Sequence, residues 1–252
     1  MTRFPLDSAR GEDAVETVGL VTGSQAFAGL PSNPAEAVLS EIDGRSFDGI
    51  RVVALATPVS RAALPTLLPS LIERYRPRFV VGLGLALSAP TVRVETIGVN
   101  ACHFGVPDNE GLRPLGGAAI DPDGPAARRA TWDAAAIVEA ILDEGVPARL
   151  SFQAGTHLCN LTLYSYLGAL AAAGLESPCG FLHLPYLPEQ VVWMMRHPKA
   201  VSSDAFGPNL ELASMDFGAQ VRAVKAMLRV VAGQAANAAT GPASRALKGA
   251  TQ

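Results

Sequence analysis

The chain has 252 residues, of which 49% are hydrophobic and 17% are charged, and its formal net charge is −3 at pH 7. This much apolar material suits a packed core and excludes a disordered chain. The small negative charge, without a cluster of Lys or Arg, argues against a nucleic-acid partner, because a phosphate backbone binds to basic surfaces.

Short apolar runs alternate with segments of helical periodicity along most of the chain. Predicted strands cover residues 17–22, 50–56, 79–86, 92–99, 148–153 and 180–184. Predicted helices cover residues 34–39, 62–75, 126–144, about 159–173 and 212–236. This alternation predicts a single three-layer α/β/α domain around a mostly parallel central sheet.

The domain is expected to span residues 17–237. A polar leader, residues 1–16, precedes it, and a mobile tail, residues 238–252, follows it. The leader has no apolar core of a secretory signal, and no run reaches the roughly 18 apolar residues of a membrane span, so we expect no membrane partner. Residues 189–195 are predicted to form either a helix or a lid.

The chain has three cysteines, Cys102, Cys159 and Cys179. They have neither the even count nor the spacing of a disulfide framework or a zinc site, so we expect no metal. A reducing cytoplasm is the natural compartment for such a chain. An odd, isolated cysteine in an intracellular protein is also a candidate nucleophile.

Cys159 is the strongest candidate for that role. It follows a small-residue turn, residues 154–156, and lies near the first turn of a predicted helix. Unpaired backbone N–H groups and the helix dipole stabilise a thiolate at such a position. A cysteine in an apolar segment is more often an inert hydrophobe, however, and composition alone leaves both interpretations open.

A nucleophilic cysteine needs an imidazole to carry protons and an acid to orient it. Of the four histidines, only His183 lies on a predicted strand between apolar neighbours. Glu95 lies within another apolar strand, where a lone carboxylate needs a partner. Cys159 and His183 both lie near predicted carboxyl ends of strands, where parallel sheets hold their ligand sites. His183 is nevertheless also compatible with a role as a satisfied core residue.

Six fragments of the sequence form an ordered set. They are L-V-T-G at 20–23, V-E-T-I-G-V-N at 94–100, V-P-D-N-E-G at 106–111, G-P-A-A at 124–127, A-G-T-H-L-C-N at 154–160 and G-F-L-H-L-P-Y-L-P-E-Q at 180–190. In order and spacing they resemble the pyrrolidone-carboxylate peptidases, also called type I pyroglutamyl peptidases. Each fragment alone is weak, but together they cover about residues 20–190 and are specific.

The resemblance implies a cytosolic cysteine peptidase that removes pyroglutamate from N-terminally blocked peptides. By position, Cys159 matches the nucleophile of the family, His183 its general base and Glu95 its acidic triad member. The resemblance also implies a single α/β/α domain and no metal or organic cofactor. Members of the family often assemble as homotetramers.

The residues expected to bind the substrate depart from the family pattern. Phe27 retains one aromatic residue of the lactam site, but Ser24 replaces the other, and Leu85 replaces a glutamine. Ala89 and Gly105 stand where the family has arginines. A pocket that loses such partners should bind pyroglutamate differently.

Two residues next to the nucleophile complete the expected substrate site, namely His157, where the family has an aromatic residue, and Leu158. His157 could form a wall of the pocket or compete with His183 as the base. We expect a wall, because residues two positions apart at a helix start need not project to the same side.

The altered pocket leaves two alternatives to pyroglutamate release. One is an amidase that acts on a different small cyclic or N-acyl amide. The other is a non-catalytic relative that keeps the fold and binds a ligand.

Overall fold

The computed structural model describes residues 17–198 and 212–240. The strands are β1 (Val18–Ser24), β2 (Ser46–Phe47), β3 (Ile50–Thr57), β4 (Val80–Leu85), β5 (Val92–Glu95), β6 (Ile97–Val99), β7 (Ala127–Arg129), β8 (Ala148–Ser151) and β9 (Cys179–Leu184). The α-helices are α1 (Pro34–Ala37), α2 (Leu64–Tyr75), α3 (Ala134–Asp143), α4 (Leu158–Ala172), α5 (Pro188–Arg196) and α6 (Phe217–Thr240). The predicted leader and residues 241–252 of the predicted tail lie outside the described residues.

Seven strands form the central sheet in the order β2-β3-β1-β4-β9-β5-β8. Strands β1, β3, β4 and β9 run parallel to one another. Strand β5 pairs antiparallel with β9 and parallel with β8, so β5 and β8 run in the opposite direction. The prediction of a mostly parallel sheet is therefore confirmed, with a reversed pair of strands at one edge.

Helices cover both faces of this sheet. Successive residues of a strand contribute to different cores, as the alternation of side chains in a strand requires. Leu20, Val80 and Phe181 pack with α2 and α4 on one face, whereas Val21, Val81 and Leu182 pack with α3 and α6 on the other. The predicted three-layer α/β/α arrangement is confirmed.

The predicted strand 92–99 is wrong, because the chain turns at Thr96. The Thr96 hydroxyl donates a hydrogen bond to the carbonyl of Ser151. Strand β5 ends before this residue, and β6 after it pairs with β7 in a separate two-stranded sheet.

The predicted helix 126–144 is wrong at its start. Its first residues form strand β7, and α3 begins only at Ala134. Asp133 caps α3 by accepting a hydrogen bond from the backbone N–H of Ala136 at 3.0 Å, which fixes the start of the helix.

Two predictions near the end of the chain have an outcome in the structure. The helix predicted for residues 212–236 begins at Phe217 and reaches Thr240, because Met215 still bonds to the backbone of Tyr186 as extended chain. The segment 189–195, predicted as a helix or a lid, forms helix α5. Among the described residues, no helix combines the length and the apolar character needed to cross a membrane.

Candidate active site

His183 and Glu95 lie on neighbouring strands and face the same side of the sheet. In the β5–β9 ladder Arg93 lies opposite His183, and Glu95 lies opposite Phe181, so Glu95 is the diagonal neighbour of His183. The Nδ1 atom of His183 lies 2.8 Å from Oε1 of Glu95. Both side chains are buried. The carboxylate thus fixes the orientation of the ring and leaves Nε2 as the nitrogen available to a nucleophile.

Cys159 is the second residue of α4, whose N-cap is His157. N–H groups in the first turn of a helix have no carbonyl partner one turn earlier, so they favour negative charge on a nearby sulfur. The sulfur lies against Gly84, where an added Cβ atom would come within 2.9 Å of Sγ. Gly84 is paired with His183 in the β4–β9 ladder. Gly84 therefore lets α4 bring the sulfur onto the sheet beside the imidazole.

Because β5 and β8 run opposite to the other long strands, Cys159, His183 and Glu95 come together for a different reason from the one that the sequence predicted. The expectation that carboxyl ends of parallel strands gather the site applies to β4 and β9 but is wrong for β8, the strand before Cys159. Register across an antiparallel ladder brings Glu95 to His183. The start of α4, and not the end of a parallel strand, brings Cys159 to the same place.

The imidazole of His183 experiences opposing influences. Burial by itself lowers the pKa of His183, because the interior disfavours the charged form. The Cys159 sulfur, which is hydrogen-bonded to the ring, and the Glu95 carboxylate outweigh burial and raise this pKa to about 9. His183 therefore carries a proton at neutral pH and lies next to the Cys159 sulfur.

A cavity of about 350 Å³ opens over Cys159 and His183. Three of the predicted substrate-binding residues line it, namely Phe27, Leu85 and His157. Gly105, which stands where the family has an arginine, also lines the cavity. Further lining residues are Arg93, Val106, Gln153, Ala154 and Gly155. The two other predicted substrate-binding residues, Ser24 and Leu158, line a small adjoining space with Phe27 and Cys159.

His157 occupies a wall of this cavity. Its ring lies 4.0 Å from that of Phe104 and 5.9 Å from that of Phe27, measured between ring centres. Its Nε2 atom lies 3.1 Å from the carbonyl oxygen of Val106. Burial lowers the pKa of His157, so the ring is neutral at pH 7 and its Nε2–H donates to that carbonyl. The ring therefore has the contacts of an aromatic wall.

Neither of the other histidines lines the cavity. The Nδ1 atom of His103 accepts a hydrogen bond from the backbone N–H of Gly116. The ring of His197 stacks on Trp193 at the end of α5. Ala89, which stands at an arginine position of the family pattern, is fully buried and does not line the cavity either.

Two polar side chains that sequence analysis did not single out hold the walls in place. Asn160 accepts a hydrogen bond from the N–H of Val99 and donates to the carbonyls of Val99 and Ala101, which ties α4 to β6. Asn109 donates to the carbonyl of Ala26 at 2.9 Å and so joins the turn 106–111 to the loop that carries Phe27. Both lie within the six sequence fragments that resemble the peptidase family, and this position in the fragments could have identified them.

Sequence analysis also missed Arg93 as a lining residue. The signal was present, because Arg93 precedes Glu95 by two positions on one strand and must share its face. Within the described residues, no group of three or more His, Cys, Asp or Glu side chains could hold a metal ion.

A cysteine beside a protonated imidazole, with a carboxylate that orients the ring and a cavity above, is the arrangement of a cysteine-type peptidase. The profile of the pyroglutamyl peptidase family matches residues 18–233. The chain belongs to this family.

Individual relatives support the same assignment. The chain is 35% identical to a pyrrolidone-carboxylate peptidase of Thermococcus litoralis over 173 residues, which cover 69% of this chain and 78% of the relative. It is 35% identical to that of Gloeobacter violaceus over 214 residues, 84% of this chain and 95% of the relative.

Solved structures of the same family share the fold. A mutant pyrrolidone carboxyl peptidase from the hyperthermophile Pyrococcus furiosus superposes with a TM-score of 0.78 at 29% identity, and the match covers 86% of this chain and 99% of that one. The peptidase from Thermococcus litoralis gives a TM-score of 0.76 at 31% identity, with 85% and 93% covered.

Proposed function

We propose that this chain hydrolyses the bond after an N-terminal pyroglutamyl residue, with Cys159 as nucleophile, His183 as general acid and base, and Glu95 as the group that orients His183. The observation that carries the proposal is the buried 2.8 Å contact between His183 and Glu95, with the Cys159 sulfur hydrogen-bonded to the same ring. The choice of substrate rests on membership of the pyroglutamyl peptidase family and on the names of the relatives.

The proposed reaction uses Cys159 as a thiolate and His183 as an imidazolium. The Cys159 thiolate attacks the pyroglutamyl carbonyl, and N–H groups of the first turn of α4 are suitably oriented to stabilise the oxyanion. Protonated His183 then gives its proton to the leaving amine as the C–N bond breaks, which leaves a thioester on Cys159. Water attacks this thioester while His183 takes up its proton, and pyroglutamate and the thiolate are released.

The substrate ring would lie between Phe27 and His157, which line the cavity beside Cys159. A neutral imidazole has a flat, partly apolar surface and can take the place of an aromatic residue there. Leu85 offers no hydrogen bond to the lactam, so binding would depend more on packing than in a pocket with an amide side chain.

The apolar side chain of Leu85 also supports a second candidate function, that of an amidase for another small cyclic or N-acyl amide. Leu85 lines the cavity and Ser24 the adjoining space, so neither position carries the family's predicted lactam partner. Cleavage of such amides faster than pyroglutamyl amides would favour this candidate.

Hydrolysis of pyroglutamyl-7-amino-4-methylcoumarin tests the proposal. We expect turnover by the parent protein and a loss of about 10³-fold or more in kcat for Cys159→Ser, because the alcohol is a poor nucleophile at neutral pH. Cys102→Ala removes a different buried thiol, which does not line the cavity, and serves as the control. Equal activity of Cys159→Ser and the parent would exclude catalysis by Cys159.

We further propose a cytoplasmic location and assembly as a homotetramer. All three cysteines are free, which fits a reducing compartment. Phe152 is 64% exposed beside the edge strand β8, and self-association would cover such a residue. A monomeric mass from light scattering at micromolar concentration would contradict the tetramer.

A further inference from the structure

Arg93 is a cation in the cavity that forms no ion pair with an acid of the described residues. Its side chain lines the cavity together with Cys159 and His183. Its Nε atom is buried and has no hydrogen-bond acceptor among the described residues. Glu95 lies on the same face of β5, but its Oε1 atom contacts His183, and no ion pair joins Glu95 to Arg93. A buried donor without an acceptor costs free energy, so this guanidinium is suited to accept a partner from outside the chain.

The order of strands shows which part of a substrate Arg93 would meet. Leu85 ends β4, the Cys159 sulfur lies over Gly84 of the same strand, His183 lies on β9, and Arg93 lies on β5. Neighbouring strands are about 4.8 Å apart, so these groups form a series across the cavity. In the proposed mechanism the acyl group would lie at the Leu85 end and the leaving amine at His183, and Arg93 lies one strand further on.

We propose that Arg93 binds a carboxylate on the residue that leaves, so that the chain prefers substrates with a negative charge directly after the scissile bond. This inference rests on the proposed peptidase function and adds a specificity to it. In a dipeptide, the free α-carboxylate is attached to the carbon that bears the leaving nitrogen. Aspartate or glutamate as the leaving residue would offer the same group from a side chain.

A carboxylate suits this position better than a neutral acceptor. The guanidinium is permanently charged and presents its N–H groups in a fork that matches both oxygens of a carboxylate. The surrounding wall includes Leu85, Ala86, Leu87 and Val106, which screen a charge poorly. The Coulomb attraction is therefore stronger here than at an open surface.

Matched pairs of peptides test this specificity. Pyroglutamyl-alanine and its amide differ only in the terminal charge, and pyroglutamyl-aspartate amide and pyroglutamyl-asparagine amide differ only in the side-chain charge. We expect the parent protein to have a kcat/KM about 10- to 100-fold higher for the charged member of at least one pair, the contribution of a charge-assisted hydrogen bond. The pair that shows the preference identifies the source of the carboxylate.

Substitution of Arg93 tests whether this residue is responsible. In Arg93→Gln the ratio of kcat/KM for charged and neutral members should fall towards one, and Arg93→Lys should restore part of it. Arg45→Gln removes the same charge from an exposed turn before β2, at the other edge of the sheet, and should retain the ratio of the parent. A parent ratio near one for both pairs, or a ratio that survives in Arg93→Gln, would overturn the proposal.

Binding to Cys159→Ala gives a readout that does not need turnover. Calorimetry on this variant, with and without Arg93→Gln, should show the same 10- to 100-fold ratio in Kd and its loss. If the parent cleaves pyroglutamyl-aminomethylcoumarin but shows neither ratio, only the Arg93 proposal fails. If the parent cleaves nothing, the proposed function fails, and the Kd ratio still decides the role of Arg93.

Discussion

His183 holds its proton because negative groups contact it from two directions. The Cys159 sulfur and the Glu95 carboxylate together overcome the effect of burial and raise the pKa of His183 to about 9. The proposed mechanism uses this imidazolium as the acid for the leaving amine. Activity should therefore decline as the pH rises through the pKa of His183.

This gives a prediction for Glu95→Gln. The amide keeps the shape of the side chain but removes a charge that raises the pKa of His183, so the alkaline limb of kcat/KM should move from about pH 9 in the parent to lower pH. The measurement is kcat/KM for the coumarin substrate between about pH 6 and pH 10.

Glu73→Gln, an exposed substitution on α2, controls for the change in net charge. Its alkaline limb should coincide with that of the parent. An unshifted limb in Glu95→Gln would show that the carboxylate does not control the proton of His183.

Helix α4 approaches the sheet where β4 has two glycines on one face. An added Cβ atom at Gly82 would overlap the ring of Phe181, and one at Gly84 would meet both that ring and the Cys159 sulfur. The absence of a side chain at Gly84 therefore sets the depth at which the Cys159 sulfur lies. This is a property of two elements in contact and not of the cysteine alone.

Comparison of Gly84→Ala with Gly82→Ala separates the two contacts. Both variants should lose about 1–3 kcal/mol of unfolding free energy, because both overfill the space beside Phe181. Only Gly84→Ala should also displace the sulfur, which should lower kcat/KM about 10- to 100-fold. Urea unfolding and the rate of Cys159 alkylation by iodoacetamide measure the two effects. Equal loss of activity in both variants would mean that the Phe181 ring transmits the effect.

Local patterns and sequence fragments predicted most elements and identified Cys159, His183 and Glu95 as candidates. They did not predict the pairing of β5 with β9 that brings Glu95 to His183. Apolar runs mark β4 and β9 because both faces of these strands are buried. The direction of β5 and the turn at Thr96 depend on long-range hydrogen bonds, which leave no periodic signal. Arg93 could have been found from its spacing of two residues before Glu95, but its position opposite His183 depends on the same long-range register.

The sheet divides the whole molecule into a catalytic face and a supporting face. Cys159, His183 and Phe181 lie on the side of α2 and α4, while α6 packs with α3 on the other side. Met227 of α6 is fully buried in that second core. Loss of packing there should affect stability without displacing the site.

Met227→Ala is expected to lower the free energy of unfolding by about 2–5 kcal/mol, because it leaves a cavity in the core. Its kcat should equal that of the parent at temperatures well below unfolding. Met195→Ala, at a position on α5 that is 61% exposed, is the matched control and should alter neither quantity. A fall in the kcat of folded Met227→Ala would show that the two faces are coupled.

The antiparallel pairing of β5 with β9 makes the chemistry depend on a single alignment between two short segments. If β5 shifted by one residue along β9, Val94 would take the place of Glu95 on the catalytic face, and the carboxylate would point into the apolar core beside α3. A molecule misaligned in this way would be compact but inert. Turnover would thus count only the correctly aligned molecules in a refolded sample, a distinction that measurements of compactness alone cannot make.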